Sequence, residues 1–200
     1  MQMRLAPHVE TLAAAGCPDE RLALLPSLYD EMLADTTLLL IDEPKGLPRN
    51  EYEQLLAFGP RLKEMCDELA GYRIPESLHS DDLHTANILV KGEKYFFIDA
   101  AEYCLGHPFC SLFVSLRAAR YVLEYDEAGM ELLRQAYLTP WTAFAPMERL
   151  QQAFALAQRL GSVYKALNWY RFLSWLPADQ RWAHADAALY FLRVFLGTEE

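Results

Sequence analysis

Leu78-His-Ser-Asp-Asp82-Leu-His84-Thr-Ala-Asn87-Ile-Leu-Val90, then Lys91-Gly-Glu-Lys94, then Tyr95-Phe-Phe-Ile98-Asp99, is the stretch that decides the fold. Ile88-Leu-Val90 and Tyr95-Phe-Phe-Ile98 are short β-prone runs, and the glycine-containing turn between them predicts an antiparallel hairpin covered on both faces. Antiparallel pairing sets the start of one strand beside the end of the next, so Asn87 and Asp99 are expected close together. Asp82 stands just upstream, at the edge of the same segment.

Outward from the hairpin the apolar period becomes helical. Leu5, Val9 and Leu12 share a face before Gly16. Pro18-Asp19-Glu20 predicts the start of a second helix carrying Leu22, Leu25, Leu28 and Met32, with a break or kink at Pro26. Asp42-Glu-Pro-Lys-Gly-Leu-Pro48 reads as a loop. Asn50 and Glu53 form a capping-box pattern for a helix presenting Leu55, Leu62, Met65, Cys66 and Leu69, bent at Pro60 and stopped at Gly71. After Pro108, Leu112, Val114, Leu116, Ala119 and Val122 mark one helix, and Met130, Leu133 and Tyr137 another. An aromatic linker holds Trp141 and Phe144 between Pro140 and Pro146. Leu150, Phe154, Ala157, Leu160, Val163 and Tyr164 then define a longer helix, and Ala187, Tyr190, Leu192 and Val194 the last.

Composition bounds the class. A chain of 200 residues, 52% hydrophobic and 23% charged, can bury one sizeable core or form one lobe of a larger fold. Lys plus Arg total 18 against 28 acids, a net charge of −10, which argues against a nucleic-acid partner. No apolar run approaches the roughly 20 residues of a membrane span, and no secretory signal is evident. Cys17, Cys66, Cys104 and Cys110 show no disulfide-framework spacing, so a cytoplasmic, reducing setting is expected.

Two carboxylates and an amide at the ends of apolar segments are the donor set of a phosphoryl-transfer centre. One carboxylate accepts a hydroxyl proton; the amide and second carboxylate hold Mg²⁺ against nucleotide phosphates. The spacing of five from Asp82 to Asn87 matches the D-x-x-x-x-N catalytic loop of kinases, with Asp99 where the metal-binding Asp falls.

The segment from Leu78 to Val90 resembles the H-G-D-L-H-x-x-N-I-L-V block of the aminoglycoside phosphotransferase and choline kinase-like family. Phe97-Ile-Asp99-Ala-Ala-Glu-Tyr-Cys-Leu-Gly-His-Pro108 is similar to its F-I-D-W-x-x-x-x-x-G-x-P block. The resemblance implies a mainly α fold with a small β-hairpin (α+β), the C-terminal lobe of a protein-kinase-like fold. It would be a single domain, 1–200, with catalytic loop 79–87 and metal-binding hairpin 87–99. It further implies Asp82 as catalytic base, Asn87 and Asp99 as Mg²⁺ and cofactor ligands, ATP as donor and a small-molecule hydroxyl as acceptor.

Three departures stand out. The family's first histidine falls on Ser80, with His79 one place earlier, so either His79 takes its role through a local shift or a hydroxyl supplies the contact. Ala100 replaces the tryptophan after the second Asp. Upstream of Asp82 there is no G-x-G, and Lys45 and Lys63 lie in no convincing strand. The phosphate-covering loop and strand lysine of a kinase N-terminal lobe are thus not read in this chain. A separate or missing N-terminal lobe becomes an expected partner, and the surface meeting it should expose apolar residues.

Other features carry two readings each. His84 either assists the loop or bonds a backbone carbonyl. Cys104-x-x-His107-x-x-Cys110 is either a buried thiol pair beside a His-Pro turn or the start of a zinc site completed by His79 or His84. Trp169, Tyr170, Phe172, Trp175 and Trp182 form core packing or a cation-binding wall. Glu102, Asp126, Glu127 and Glu131 line an acidic acceptor cleft or lie on solvated helix faces. A non-catalytic binding module derived from the same lobe is the alternative to a phosphotransferase.

Overall fold

The computed structural model describes residues 1–177, 180–181 and 184–199. Helices dominate, and two separate two-stranded antiparallel sheets complete the α+β architecture. Short helices α1 (Gln2–Leu5) and α2 (Val9–Ala14) lead to Gly16, whose φ of 92° ends the helical run in the left-handed region open to glycine. Helix α3 (Leu25–Ala34) then precedes the single-turn α4 (Thr36–Leu39) and the long α5 (Arg49–Gly71). Leu55, Leu62, Met65, Cys66 and Leu69 are the buried set of α5, as their spacing predicts, and Pro60 lies inside the helix.

Two helix starts differ from expectation. Residues 18–20 do not open α3; they run along a strand, where Leu105 N donates to Pro18 O at 2.7 Å and Glu20 N donates to Leu105 O at 2.9 Å. Pro26 consequently sits in the first turn of α3, where its missing N–H costs nothing, and breaks nothing. Helix α5 begins at Arg49 after an extended Pro48, so Asn50 and Glu53 fall inside the helix and make no capping box.

Strand β1 (Ser77–Ser80), unannounced by any alternation in its sequence, leads into the loop that carries Asp82. Strands β2 (Ile88–Lys91) and β3 (Lys94–Phe97) form the expected hairpin, with Ile88 opposite Phe97 and Lys91 opposite Lys94. Its expected covering is not found: Leu89, Val90, Tyr95, Phe96, Phe97 and Ile98 are all exposed, Tyr95 by 66%. Among the described residues no helix packs over either face, because the helices gather on the other sheet. That sheet pairs β1 with β4 (Tyr103–Gly106), Ser77 opposite Gly106 and Ser80 opposite Tyr103.

Helices α6 (Leu112–Tyr121), α7 (Glu127–Leu138), α8 (Met147–Trp175) and α9 (Ala185–Leu196) follow. In α6, Leu112 and Ala119 turn inward as expected, whereas Val122 falls just past the helix and is exposed. The linker between Pro140 and Pro146 is a tight 3₁₀ turn that buries Trp141 against Phe109. Leu150, Phe154, Ala157, Leu160, Val163 and Tyr164 all lie buried on α8, which runs through the centre of the core. Close packing uses glycine: a Cβ on Gly106 would lie 2.9 Å from the Tyr164 ring, whose hydroxyl donates to Glu20 O at 2.8 Å. The aromatic end of α8 divides, with Trp169 and Tyr170 partly buried, Phe172 exposed and Trp175 81% exposed; Trp182 lies outside the described residues. No helix among the described residues is long and apolar enough to cross a membrane. All four cysteines are free, three of them buried.

Candidate active site

Strand β1 delivers the chain to a loop at Asp82, and the loop is fastened at both ends. Ser115 Oγ donates to Leu83 O, tying the loop to α6. At the far end Asn87 closes a short 3₁₀ turn (Thr85–Asn87) and leads into β2. The Asn87 side-chain amide donates to Asp82 Oδ2 at 2.8 Å and to the Asp82 carbonyl at 3.0 Å. His84 Nδ1 accepts from Ala86 N at 3.3 Å, which leaves Nε2 as the protonated nitrogen facing Asp82 Oδ2 at 3.2 Å. His84 therefore both caps the turn and bonds the carboxylate.

The other carboxylate oxygen of Asp82 meets a cation that the sequence does not advertise. Lys165, buried in the middle of α8, places Nζ 3.5 Å from Asp82 Oδ1 and 2.6 Å from Glu102 Oε2. Asn168, one turn further on, also donates to Glu102. Lys165 and Asn168 sit three apart on an otherwise apolar helical stretch, and that polar pair in a core pattern was the signal available.

Asp99 occupies the end of the hairpin in a left-handed conformation, φ 58° and ψ 68°, exposed to solvent. Its connection to the other two site residues runs through backbone: Ile98 N donates to Asn87 O at 3.0 Å. The structure thus joins Asp82 to Asn87 directly and sets Asp99 beside the Asn87 strand end. Two clefts adjoin here and share Glu102 and Trp169. The one of about 740 Å³ holds Asp82, Lys165, Val114, Tyr121, Tyr190 and Phe191; the other, about 310 Å³, holds Asp99 with Phe172 and Trp175.

The donor chemistry of Asn87 and Asp99 fits Mg²⁺. The Asn87 nitrogen is committed to Asp82, leaving its carbonyl oxygen as the available ligand atom, and Asp99 adds an exposed carboxylate. Two oxygen donors supplemented by water are what that ion takes. The phosphate-covering side of an ATP site does not fit the chain's upstream residues, since α1 to α5 are helices and no strand precedes Ser77 among the described residues.

The remaining sequence candidates resolve differently. Of the two readings of the acidic residues, the shared cleft wall does not assemble: Glu102 is taken by Lys165, Asp126 caps α7 through Gly129 N at 2.8 Å, Glu127 pairs with Arg120, and Glu131 pairs with Arg134 at 3.0 Å. Of Cys104, His107 and Cys110, only Cys104 joins a cluster of ligand-type side chains among the described residues, and its companions are His79 and Asp81. His107 instead caps the next turn through Phe109 N, and burial pushes its ring down to about 3. His79 is buried, 2.7 Å from Asp81 Oδ1 and 3.0 Å from Ser111 Oγ, while the Ser111 hydroxyl also receives Ser80 N at 3.1 Å. His79 thus turns into the core, and the Ser111 hydroxyl accepts from Ser80 N.

No family model matches the sequence, and comparison with curated proteins and with solved structures finds no match. The kinase-like resemblance rests on the motif residues of the sequence.

Proposed function

We propose that the chain is the acceptor-binding lobe of an ATP- and Mg²⁺-dependent phosphotransferase acting on a small-molecule hydroxyl, in the manner of the aminoglycoside phosphotransferase and choline kinase-like family. The observation that carries this reading is the Asp82 carboxylate, held by Asn87 on one oxygen and facing Lys165 on the other, at the floor of a cleft wide enough for a small molecule. In this reading Asp82 orients the acceptor hydroxyl and takes its proton as the oxygen attacks phosphorus. Positioning is the larger part of that work, because a loose transition state leaves little covalent chemistry to the protein. Asn87 and Asp99 would hold Mg²⁺, which when bound with ATP supplies charge neutralisation on the phosphates. Lys165, its ammonium 3.5 Å from Asp82 Oδ1, helps fix the direction in which the carboxylate points.

The walls of the cleft speak to the acceptor. Val114, Val122, Tyr121, Trp169, Tyr190 and Phe191 surround a polar floor, so an alcohol on an apolar or aromatic body suits it better than a polycation. The exposed hairpin supports a partner lobe that covers the phosphates and packs on Leu89, Val90, Tyr95 and Phe96. The same exposed apolar surface also favours a second reading, a binding module without turnover.

Titration calorimetry with Mg-ATP, on the chain alone and on the chain joined to whatever in-frame segment precedes it in the genome, tests the proposal. Binding that requires Mg²⁺, strengthens with the preceding segment and falls in Asp99→Asn is expected. Absence of Mg-ATP binding to the joined protein overturns the phosphotransferase reading, and binding without transfer to any hydroxyl compound favours the module.

A further inference from the structure

Beneath the loop lies a second group of side chains that the proposed chemistry does not use. His79 and Cys104 stand directly opposite each other in the β1–β4 ladder, and opposite residues of an antiparallel pair project to the same face. Asp81 follows two residues after His79, and Glu20 is drawn in by its backbone bond to Leu105 O. Ligand atoms of His79, Asp81 and Cys104 lie within 4.8 Å of one another, and all three residues are buried. The Glu20 side chain, itself 3% exposed, faces the Cys104 thiol.

Two observations point to a ligand here. Asp81 Oδ2 and Glu20 Oε2 are buried without a hydrogen-bond partner, although buried carboxylate oxygens are ordinarily satisfied. The charges are also uneven: two buried carboxylates face one guanidinium, Arg171, which pairs with Glu20 Oε1 at 2.5 Å. Buried charges are normally paired or coordinate a metal.

We propose that Glu20, His79, Asp81 and Cys104 form a buried zinc site. One sulfur, one imidazole nitrogen and two carboxylate oxygens make a four-donor set that suits zinc, whereas the sulfur disfavours Mg²⁺. Zinc bonds near 2.0–2.3 Å require tetrahedral donors about 3.3–3.8 Å apart, so on binding any pair near the 4.8 Å limit closes by about 1 Å while the 2.7 Å contact of His79 Nε2 with Asp81 Oδ1 opens to admit the ion. A divalent ion, the thiolate, both carboxylates and Arg171 together carry no net charge. The Cys104 thiol releases its proton to solvent as its sulfur bonds the ion. His79 binds through Nε2 while Ser111 Oγ, 3.0 Å from Nδ1, fixes the ring from behind. The site touches neither Asn87 nor Asp99 and holds whether or not the chain transfers phosphoryl groups. Because Asp81 precedes Asp82, the ion clamps the start of the loop.

The test uses the full chain, stripped with a chelator, confirmed folded by circular dichroism, and titrated separately with Zn²⁺ and Co²⁺. Elemental analysis should find about one zinc per chain, cobalt should give a thiolate charge-transfer band in the near ultraviolet, and zinc should raise the unfolding midpoint. Cys104→Ser should abolish the band and weaken zinc binding by about 100-fold or more, Asp81→Asn should weaken it while keeping the band, and Cys110→Ser should preserve both. A folded wild-type chain that takes up neither ion, or zinc uptake unchanged in Cys104→Ser, overturns the site. Should Cys104→Ser fail to fold, unchanged zinc affinity in folded Asp81→Asn overturns it equally.

Discussion

Asn87 and Asp82 hold each other twice, side chain to side chain at 2.8 Å and side chain to backbone at 3.0 Å, closing the loop from Asp82 to Asn87 into a ring. The ring fixes where the Asp82 carboxylate points before any substrate arrives, which is the pre-organisation that a positioned base requires.

Asp82→Asn keeps the shape of the side chain and removes the acceptor charge. In the proposed reaction kcat should fall by about 10²–10⁴-fold, with the unfolding free energy changed by no more than about 1 kcal/mol. Steady-state kinetics with a urea titration check both, and near-normal kcat in a folded variant removes Asp82 from its assigned role.

Lys165→Met keeps the aliphatic stem and removes the ammonium that faces Asp82 and Glu102. Both carboxylates retain roughly a quarter to a third of their exposure, so water softens the loss to about 1–2 kcal/mol. Adding Glu102→Gln should recover part of it, and the double-mutant cycle in urea measures how much.

His107 gives the fold a dependence on acid. Burial pushes its pKa from 6.5 to about 3, so the native state declines a proton that the unfolded chain accepts below pH 6.5. Its contribution is complete above that pH and is lost as pH falls toward 3, with a slope of up to about 1.4 kcal/mol per pH unit. Burial raises the Glu20 carboxyl, whose contribution has the opposite sense and declines as pH rises through 4.5 and above. Comparing wild type with His107→Asn isolates the histidine, and equal slopes in the two proteins would remove it as the cause.

The hairpin predicts behaviour in solution. Leu89 pairs with Phe96, and Val90 with Tyr95, on faces that α6 to α9 leave uncovered. Val90→Lys with Phe96→Lys should leave thermal stability within about 0.5 kcal/mol and reduce self-association in sedimentation velocity. A large loss of stability would mean that these side chains belong to the core.

Gly106→Ala places a methyl 2.9 Å from a carbon of the Tyr164 ring, which is anchored to Glu20 O and cannot swing away freely. A loss of about 1–3 kcal/mol in chemical unfolding is expected.

Much of the helical frame was legible because helical burial writes itself every three to four residues. The buried faces of α5 and α8 follow Leu55 to Leu69 and Leu150 to Tyr164 as their spacing predicts. The hairpin was legible too, and with it the approach of Asn87 to the Asp99 end. The β1–β4 pairing was not, since strands of four residues joined by a long excursion carry no local signal of their partner. Pro18-Asp19-Glu20 imitates a helix start, yet tertiary pairing with Leu105 overrides that preference. The polar pair Lys165 and Asn168 interrupts the apolar pattern of α8, but which group the cation meets is set by tertiary structure, which points it at Asp82. The exposure of the hairpin is not legible in its sequence, because apolar strands say that something should bury them and not which chain does.

Helix α8 spans 29 residues, about 44 Å, without interruption. Lys165 and Asn168 ride on the same rod as Leu150 and Phe154, and each residue inserted or removed turns everything beyond it by about 100°. An indel between 150 and 164 would swing the ammonium away from Asp82 while every loop of the molecule kept its sequence. Length is therefore the quantity this helix must preserve through evolution, whereas the connectors around it can drift.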